Sequence, residues 1–288
     1  MARVARRPKN LDALLHVWGV LGLLFLFFPI VVIVVYSFNT GRTLAAWEGF
    51  GLSAFTSALS NPNILAAVRV SLVVSVAVAV LATVLGTFAG MALSRSRGRW
   101  RPGFLALLAL VMVTPEIVSA ISLLPWFVTL GIDLGIPIFS SGAVRLVIAT
   151  SLFSTAVVTF IVRARMDGMG TSLEEAAADL YAPPWRRFVD VTLPMIRPAV
   201  ISGALLSFTF SLDNTVVASF VSVAGATPWP VYVFSAVRQG LRPEVAAMST
   251  VLLGVTLLAL LLVVLVLRKD PAASGGGGAS RLAATIAG

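Results

Sequence analysis

The chain has 288 residues, of which 58% are hydrophobic and only 11% charged, where a globular domain carries about 25% charged side chains. Together with a mean hydropathy of +0.99 this describes an integral membrane protein, and the absence of cysteine with a single histidine, His16, excludes a disulfide scaffold, a zinc site, an iron–sulfur cluster and a thiol nucleophile. The net charge of +9 comes from short basic clusters set between apolar blocks, a pattern that reports membrane topology and argues against nucleic acid as a partner.

A hydrocarbon core of about 30 Å takes roughly 20 apolar residues of helix. Six stretches meet or approach that length, near 14–38, 64–94, 103–130, 144–163, 198–222 and 246–267, so the expected fold is all-α, a polytopic membrane protein with six transmembrane helices. The first follows a basic leader, yet its apolar run is far longer than the roughly 7–15 residues of a signal peptide and no convincing A-x-A site closes it, so it reads as a retained helix. Residues 1–63 then hold the N-terminus, the first span and an external loop; 64–268 form the core, with a long loop at 164–197; and 269–288, rich in Gly and small residues, read as a disordered tail. Sorting the 21 Lys and Arg by alternate loops leaves only Arg42, Arg69, Arg145, Arg238 and Arg242 on one side. The positive-inside rule therefore places both termini in the cytoplasm.

The 164–197 loop is patterned too strongly for a passive connector. Ser172 and Glu175 have the spacing of a capping box, and Glu174 and Glu175 fall where a helix N-terminus favours negative charge. A short helix is expected over about 172–181, with Leu173, Ala176, Ala177 and Leu180 in one apolar stripe and Glu175 and Asp179 on another face. Pro183 and Pro184 end it, and Pro194 and Pro198 limit the next helix before the fifth span. An amphipathic helix resting on lipid would carry Lys or Arg on its polar face; acids there favour a protein partner.

The run Glu174-Glu175-Ala176-Ala177-Ala178-Asp179-Leu180, followed by Phe188, Val191-Thr192-Leu193-Pro194, Pro198 and Gly203, resembles the EAA loop of binding-protein-dependent ABC importer permeases. The resemblance implies a coupling helix that docks into a separate ATPase, with Glu174, Glu175, Ala176, Ala177, Asp179, Leu180 and Tyr181 as its contact region. The family carries Gly where this chain has Tyr181. No nucleotide site is legible here, because Walker A needs Lys followed by Ser or Thr, and the two lysines precede Asn10 and Asp270. ATP and magnesium are thus expected on the partner ATPase, with no cofactor on this chain and no catalytic or metal-ligating residues. A stand-alone ion-coupled carrier or channel is the competing class; it leaves an exposed apolar ridge without a purpose.

Two carboxylates fall inside spans, Glu116 in the third and Asp213 in the fifth. Burying such a group costs at least about 2.5–3.5 kcal/mol, which marks it for function. At ~1.5 Å per residue both rise to nearly the same height, and unpaired acids at one level favour a passing cation. Each also has a structural reading: Glu116 as a protonated acid bonded to a neighbouring helix, Asp213 with Asn214 as a hydrogen-bonded pair across helices. Ser207, Ser211, Thr215 and Ser219 read as close helix packing, while Trp126, Trp229 and Tyr232 read as interfacial anchors or as an aromatic wall for a methylene chain.

Pro115-Glu116-Ile117-Val118 with Ile121-Ser122-Leu123-Leu124, Ser207-Phe208-Thr209, Ser211-Leu212-Asp213-Asn214, Ala218-Ser219-Phe220-Val221 and Pro243-Glu244 are similar to the second permease subunit of spermidine/putrescine importers. That resemblance, covering about residues 60–268, implies the type I ABC importer permease fold in a bacterial inner membrane. It also implies a heterodimer with a second permease subunit, two ATPase subunits and an extracytoplasmic solute-binding protein. Glu116, Asp213, Asn214, Trp126, Trp229 and Tyr232 become the expected substrate pathway. Asn214 stands where those permeases often carry a second acid, which leaves open another small solute such as an amino-acid derivative.

Overall fold

A computed structural model of the chain describes residues 9–269. The expected tail at 270–288 lies outside the described residues. In chain order the helices are α1 Lys9–Tyr36, α2 Ser53–Ser60, α3 Pro62–Arg95, α4 Arg101–Val113, α5 Glu116–Val128, α6 Gly142–Asp167, α7 Ser172–Asp179, α8 Pro184–Arg186, α9 Leu193–Leu212, α10 Val216–Val221, α11 Trp229–Gln239 and α12 Pro243–Lys269. Among the described residues the extended pairing is limited to one isolated bridge, Asn39 with Phe50.

Five helices are long and apolar enough to cross a membrane: Leu14–Tyr36, Pro62–Arg95, Glu116–Asp133, Gly142–Asp167 and Pro184–Leu212; Arg101–Val113 and Pro243–Leu258 are apolar but shorter. The continuous third span expected over 103–130 is two helices, because Thr114 (ψ 125°) and Pro115 (ψ 135°) leave the helical region between α4 and α5. Proline lacks the N–H that would carry the ladder across this point. The fifth span, expected over 198–222, is broken likewise at Asp213–Thr215 between α9 and α10. It also begins earlier than Pro194 and Pro198 suggested. A π-helical turn at Arg187–Thr192 joins α8 to α9, and Pro194 and Pro198 are both taken into the continuous helical run from Pro184 to Leu212.

The described residues separate into two compact units, one of 9–64 with 236–259, the other of 65–235 with 260–269. In the first, α1 presents Leu21, Leu24, Phe25 and Phe28 outward, as lipid or a partner helix requires. The loop after α1 is folded around Asn39, fully buried, whose Nδ2 donates to the carbonyls of Thr43 (3.3 Å) and Ala46 (2.8 Å) while Oδ1 accepts from the N–H of Gly41 (3.2 Å) and Glu48 (3.0 Å). One side chain thereby satisfies four backbone groups that no helix would serve. A cavity of about 660 Å³ opens between this loop, α2 and residues 239–244, with Arg42, Arg242 and Glu244 in its lining.

In the second unit α6 is the central post, and its longest contact is with α9. Val74 and Val78 of α3, Ala120 and Phe127 of α5, Leu146 and Ala149 of α6, and Val217 and Val221 of α10 make one core cluster. Nearer the arginine-rich end, Ala82, Val158, Val162, Met166 and Ile196 make a second. Helix α3 approaches α6 so closely that a Cβ on Gly90 would stand 2.8 Å from the Thr159 carbonyl oxygen, and one on Gly86 would stand 2.6 Å from Val158 Cβ. Small residues are what allow backbones to meet at this range. Gly22 of α1 has nothing within 4 Å of such a Cβ. Gly90→Ala should therefore destabilise the protein by about 1–3 kcal/mol, read as a lower thermal midpoint in detergent, whereas Gly22→Ala should not lower it.

Candidate functional site

Both helix breaks put polar groups within otherwise apolar stretches. Glu116 is the first residue of α5, in the first turn where the helix dipole favours a carboxylate. The broken fifth span supplies Asn214, whose Oδ1 accepts from the N–H of Val217 (3.0 Å) and Ala218 (3.4 Å) and so caps α10. Asn214 thus bonds within its own segment, and the pairing across helices considered for Asp213 with Asn214 is not formed.

Glu116 and Asn214 share a cavity of about 160 Å³ with the hydroxyl-bearing side chains of Thr114, Ser119, Thr150 and Ser154. Phe153 and Phe210, ring centroids 5.6 Å apart and edge to face, form an apolar wall of the same cavity. Among the described residues the Glu116 carboxylate has no hydrogen bond or ion pair, and it is the one charged group in the lining. Asp213, the C-terminal cap of α9, is exposed next to the cavity without lining it.

The three aromatic residues lie apart from this cavity. Trp126 is half exposed, with its ring edge-on to Phe127 (5.8 Å) and Phe139 (5.7 Å). Trp229 is buried, stacks on Tyr232 at 5.5 Å, and its backbone N–H donates to Ser71 Oγ at 2.7 Å. Of the serine stripe, Ser207 and Ser211 are buried without a hydrogen-bond partner for their hydroxyls, on α9, which packs against α6. A residue the sequence concealed is Arg145, assigned by the charge count to an external loop. It is buried in the first turn of α6, where its guanidinium donates to the carbonyls of Phe139 and Phe127 and lies 6.0 Å from the Phe127 ring centroid. It thereby serves the carbonyl end of α5.

At the opposite end, the expected loop helix is α7, ending at Asp179. The capping box does not form: Thr171 is the N-cap, no side chain caps the helix, and Ser172 is already its first helical residue. The apolar stripe also divides, because Ala177 is buried against its own chain while Leu173, Ala176 and Leu180 are exposed. Glu175 and Asp179 are exposed; Glu174 is half-buried and turned inward. Leu180 is 81% exposed, Tyr181 95% and Trp185 71%, an apolar tip beyond the helix. The chain turns there through Tyr181 at φ 58°, with Tyr181 N–H bonded to the Ala178 carbonyl (2.9 Å) and Ala182 N–H to the Ala177 carbonyl (3.0 Å). This is a Schellman closure, normally built on glycine. Tyrosine makes the same turn, and the sharp reversal expected of a glycine is kept.

The sequence from 82 to 271 matches the family described as binding-protein-dependent transport system inner membrane component. The chain belongs to that family. Among its relatives are the putrescine transport system permease protein of Escherichia coli (strain K12), 40% identical over 87% of this chain and 88% of that one, and the spermidine/putrescine transport system permease protein of Haemophilus influenzae, 37% identical over 81% and 88%. A putative 2-aminoethylphosphonate transport system permease protein of Salmonella paratyphi A is 26% identical over 88% and 93%. The fold is similar to a bacterial ABC transporter involved in the import of the acidic polysaccharide alginate, with a TM-score of 0.62, 17% identity, and coverage of 94% of this chain and 100% of the other. The protein is thus a multi-pass membrane subunit of the binding-protein-dependent transport family, with an ABC importer permease fold.

Two substitutions test the local geometry. Tyr181→Gly should stabilise the turn by about 1 kcal/mol, since an L-residue pays about that much in the left-handed region, measured as a higher thermal midpoint. Asn214→Ala should cost about 0.5–2 kcal/mol by loss of the cap, and Asn214→Asp should restore it.

Proposed function

We propose that this chain is the transmembrane permease subunit of an ATP-driven importer that carries a small cationic polyamine, of the putrescine or spermidine type, across the inner membrane with both termini in the cytoplasm. It works as a heterodimer with a second permease, driven by two ATPase subunits that hold ATP and magnesium, and fed by an extracytoplasmic binding protein. The observation that carries the cargo assignment is the cavity at the two helix breaks. Its one formal charge is negative, on Glu116, ringed by hydroxyls and an amide and backed by two phenylalanines. An ammonium needs the acid and the acceptors; the methylenes of the amine need the apolar wall. A phosphonate, the named cargo of the more distant relative, would call for a cation that this lining lacks.

Asp213, beside the cavity on the same exposed face, supplies a second negative charge along the path, and Trp126, Trp229 and Tyr232 serve as packing and interfacial groups around it. The exposed tip at Leu180, Tyr181 and Trp185, with Glu175 and Asp179 on the same short helix, supports docking to the ATPase over a carrier acting alone. Alternating access follows when ATPase closure displaces α7 and the two breaks let α5 and α10 re-pack against α6.

In the complete importer reconstituted into proteoliposomes, Glu116→Gln should lower uptake of labelled putrescine at least about tenfold, equivalent to roughly 1.4 kcal/mol, with the subunits still assembled. Uptake equal to wild type would remove Glu116 from the cargo path. Glu175→Lys should reduce co-purification of the ATPase; wild-type co-purification with wild-type turnover would refute the docking role.

A further inference from the structure

The two neighbouring glutamates of α7 face different ways. Glu175 is exposed, whereas Glu174 turns back into its own chain, where Arg95 Nη2 lies 3.1 Å from its Oε1 and Thr192 Oγ1 donates to the same oxygen at 2.9 Å. Arg95 is the last residue of α3, and Thr192 closes the π-helical turn that leads into α9. One acid thereby faces two long helices at once, through a charge contact to α3 that lacks hydrogen-bond alignment and a hydrogen bond from the turn that leads into α9.

The contacts continue inward. Ser94, next to Arg95, donates to Asp167 Oδ1 at 2.6 Å; Asp167 is the last residue of α6 and pairs with Arg163 Nε at 3.3 Å. Phe88, two turns back along α3, stacks on Phe188 of the π-helical turn with centroids 6.2 Å apart and planes 29° from parallel. Beyond this belt α3 cannot slide freely past α6, because Gly86 and Gly90 sit against Val158 and Thr159 with no room for a methyl group. Helix α6 in turn carries Thr150, Phe153 and Ser154 into the cavity that holds Glu116.

We propose that Glu174 is a positioning residue which, through Arg95, transmits displacement of the docking helix to α3 and α6 and so to the cargo cavity. This rests on the reading of the chain as an ATPase-driven permease. The pair is partly exposed, 29% for Arg95 and 23% for Glu174, so it adds little to folding stability. Its value is directional: it holds α7 in register with α3 when force is applied, and removing it separates hydrolysis from transport more than it unfolds the protein.

The test uses the complete importer in proteoliposomes, with putrescine as cargo, measuring ATP hydrolysed per amine imported alongside subunit assembly and thermal midpoint. Glu174→Arg and Arg95→Glu, each alone, should raise that ratio at least about fivefold with assembly retained. The double swap should return it to within about twofold of wild type. Single variants within twofold of wild type, or a double swap no better than either single, would overturn the proposal. So would single variants that only fail to assemble, with a swap that restores assembly but not the ratio. If wild-type importer shows no ATP-dependent uptake at all, the reading as an ATP-driven permease fails first, an outcome visible before any variant is compared.

Discussion

A hydrocarbon environment leaves no unpaired backbone group without cost, so a break in a membrane-spanning helix needs partners supplied locally. The chain has two such breaks, at Thr114–Pro115 and at Asp213–Thr215, and its polar cavity follows from how they are satisfied. Asn214 answers the first N–H groups of α10, proline removes one donor at the other break, and Glu116 stands at the freed start of α5. The acid and the amide meet at one cavity because α5 and α10 both pack on the N-terminal half of α6.

The other end of the second unit is organised by the opposite need, exposure. An eight-residue helix is too short to be stable on its own. It is held by Ala177 packed inward, by the hydrogen bond that Thr192 donates to Glu174, and by the reversal at Tyr181. What remains outward is Glu175, Asp179, Leu180 and Tyr181, a narrow surface with acid at one end and apolar bulk at the other. A conformational strain kept at an exposed tip is consistent with a surface shaped for contact.

The apolar helices and the loop helix were legible because each leaves a signal in side-chain type: apolar length, and acids before alanines. The breaks were not, since hydrophobicity reports environment and is blind to backbone path; 103–130 is apolar on both sides of Pro115. The different facing of Glu174 and Glu175 was hidden for a simpler reason. Successive residues on a helix are about 100° apart, and only the position of Arg95 decides which one turns inward. Arg145 was missed because a basic residue near a span end counts toward a loop, although its partners are carbonyls that no pattern of side chains reveals. Asn214 was read as a lost acid, and its cap on α10 gives the amide a structural reason to be there.

The account holds that this chain guides cargo and that a separate ATPase supplies the energy. The direct test is putrescine flux into vesicles that contain this chain alone, compared with vesicles that contain it with its sibling permease, ATPase subunits, binding protein and internal or external ATP as the orientation requires. Accumulation only in the complete set, and only with ATP, is the predicted result; sustained accumulation by the isolated chain would contradict it.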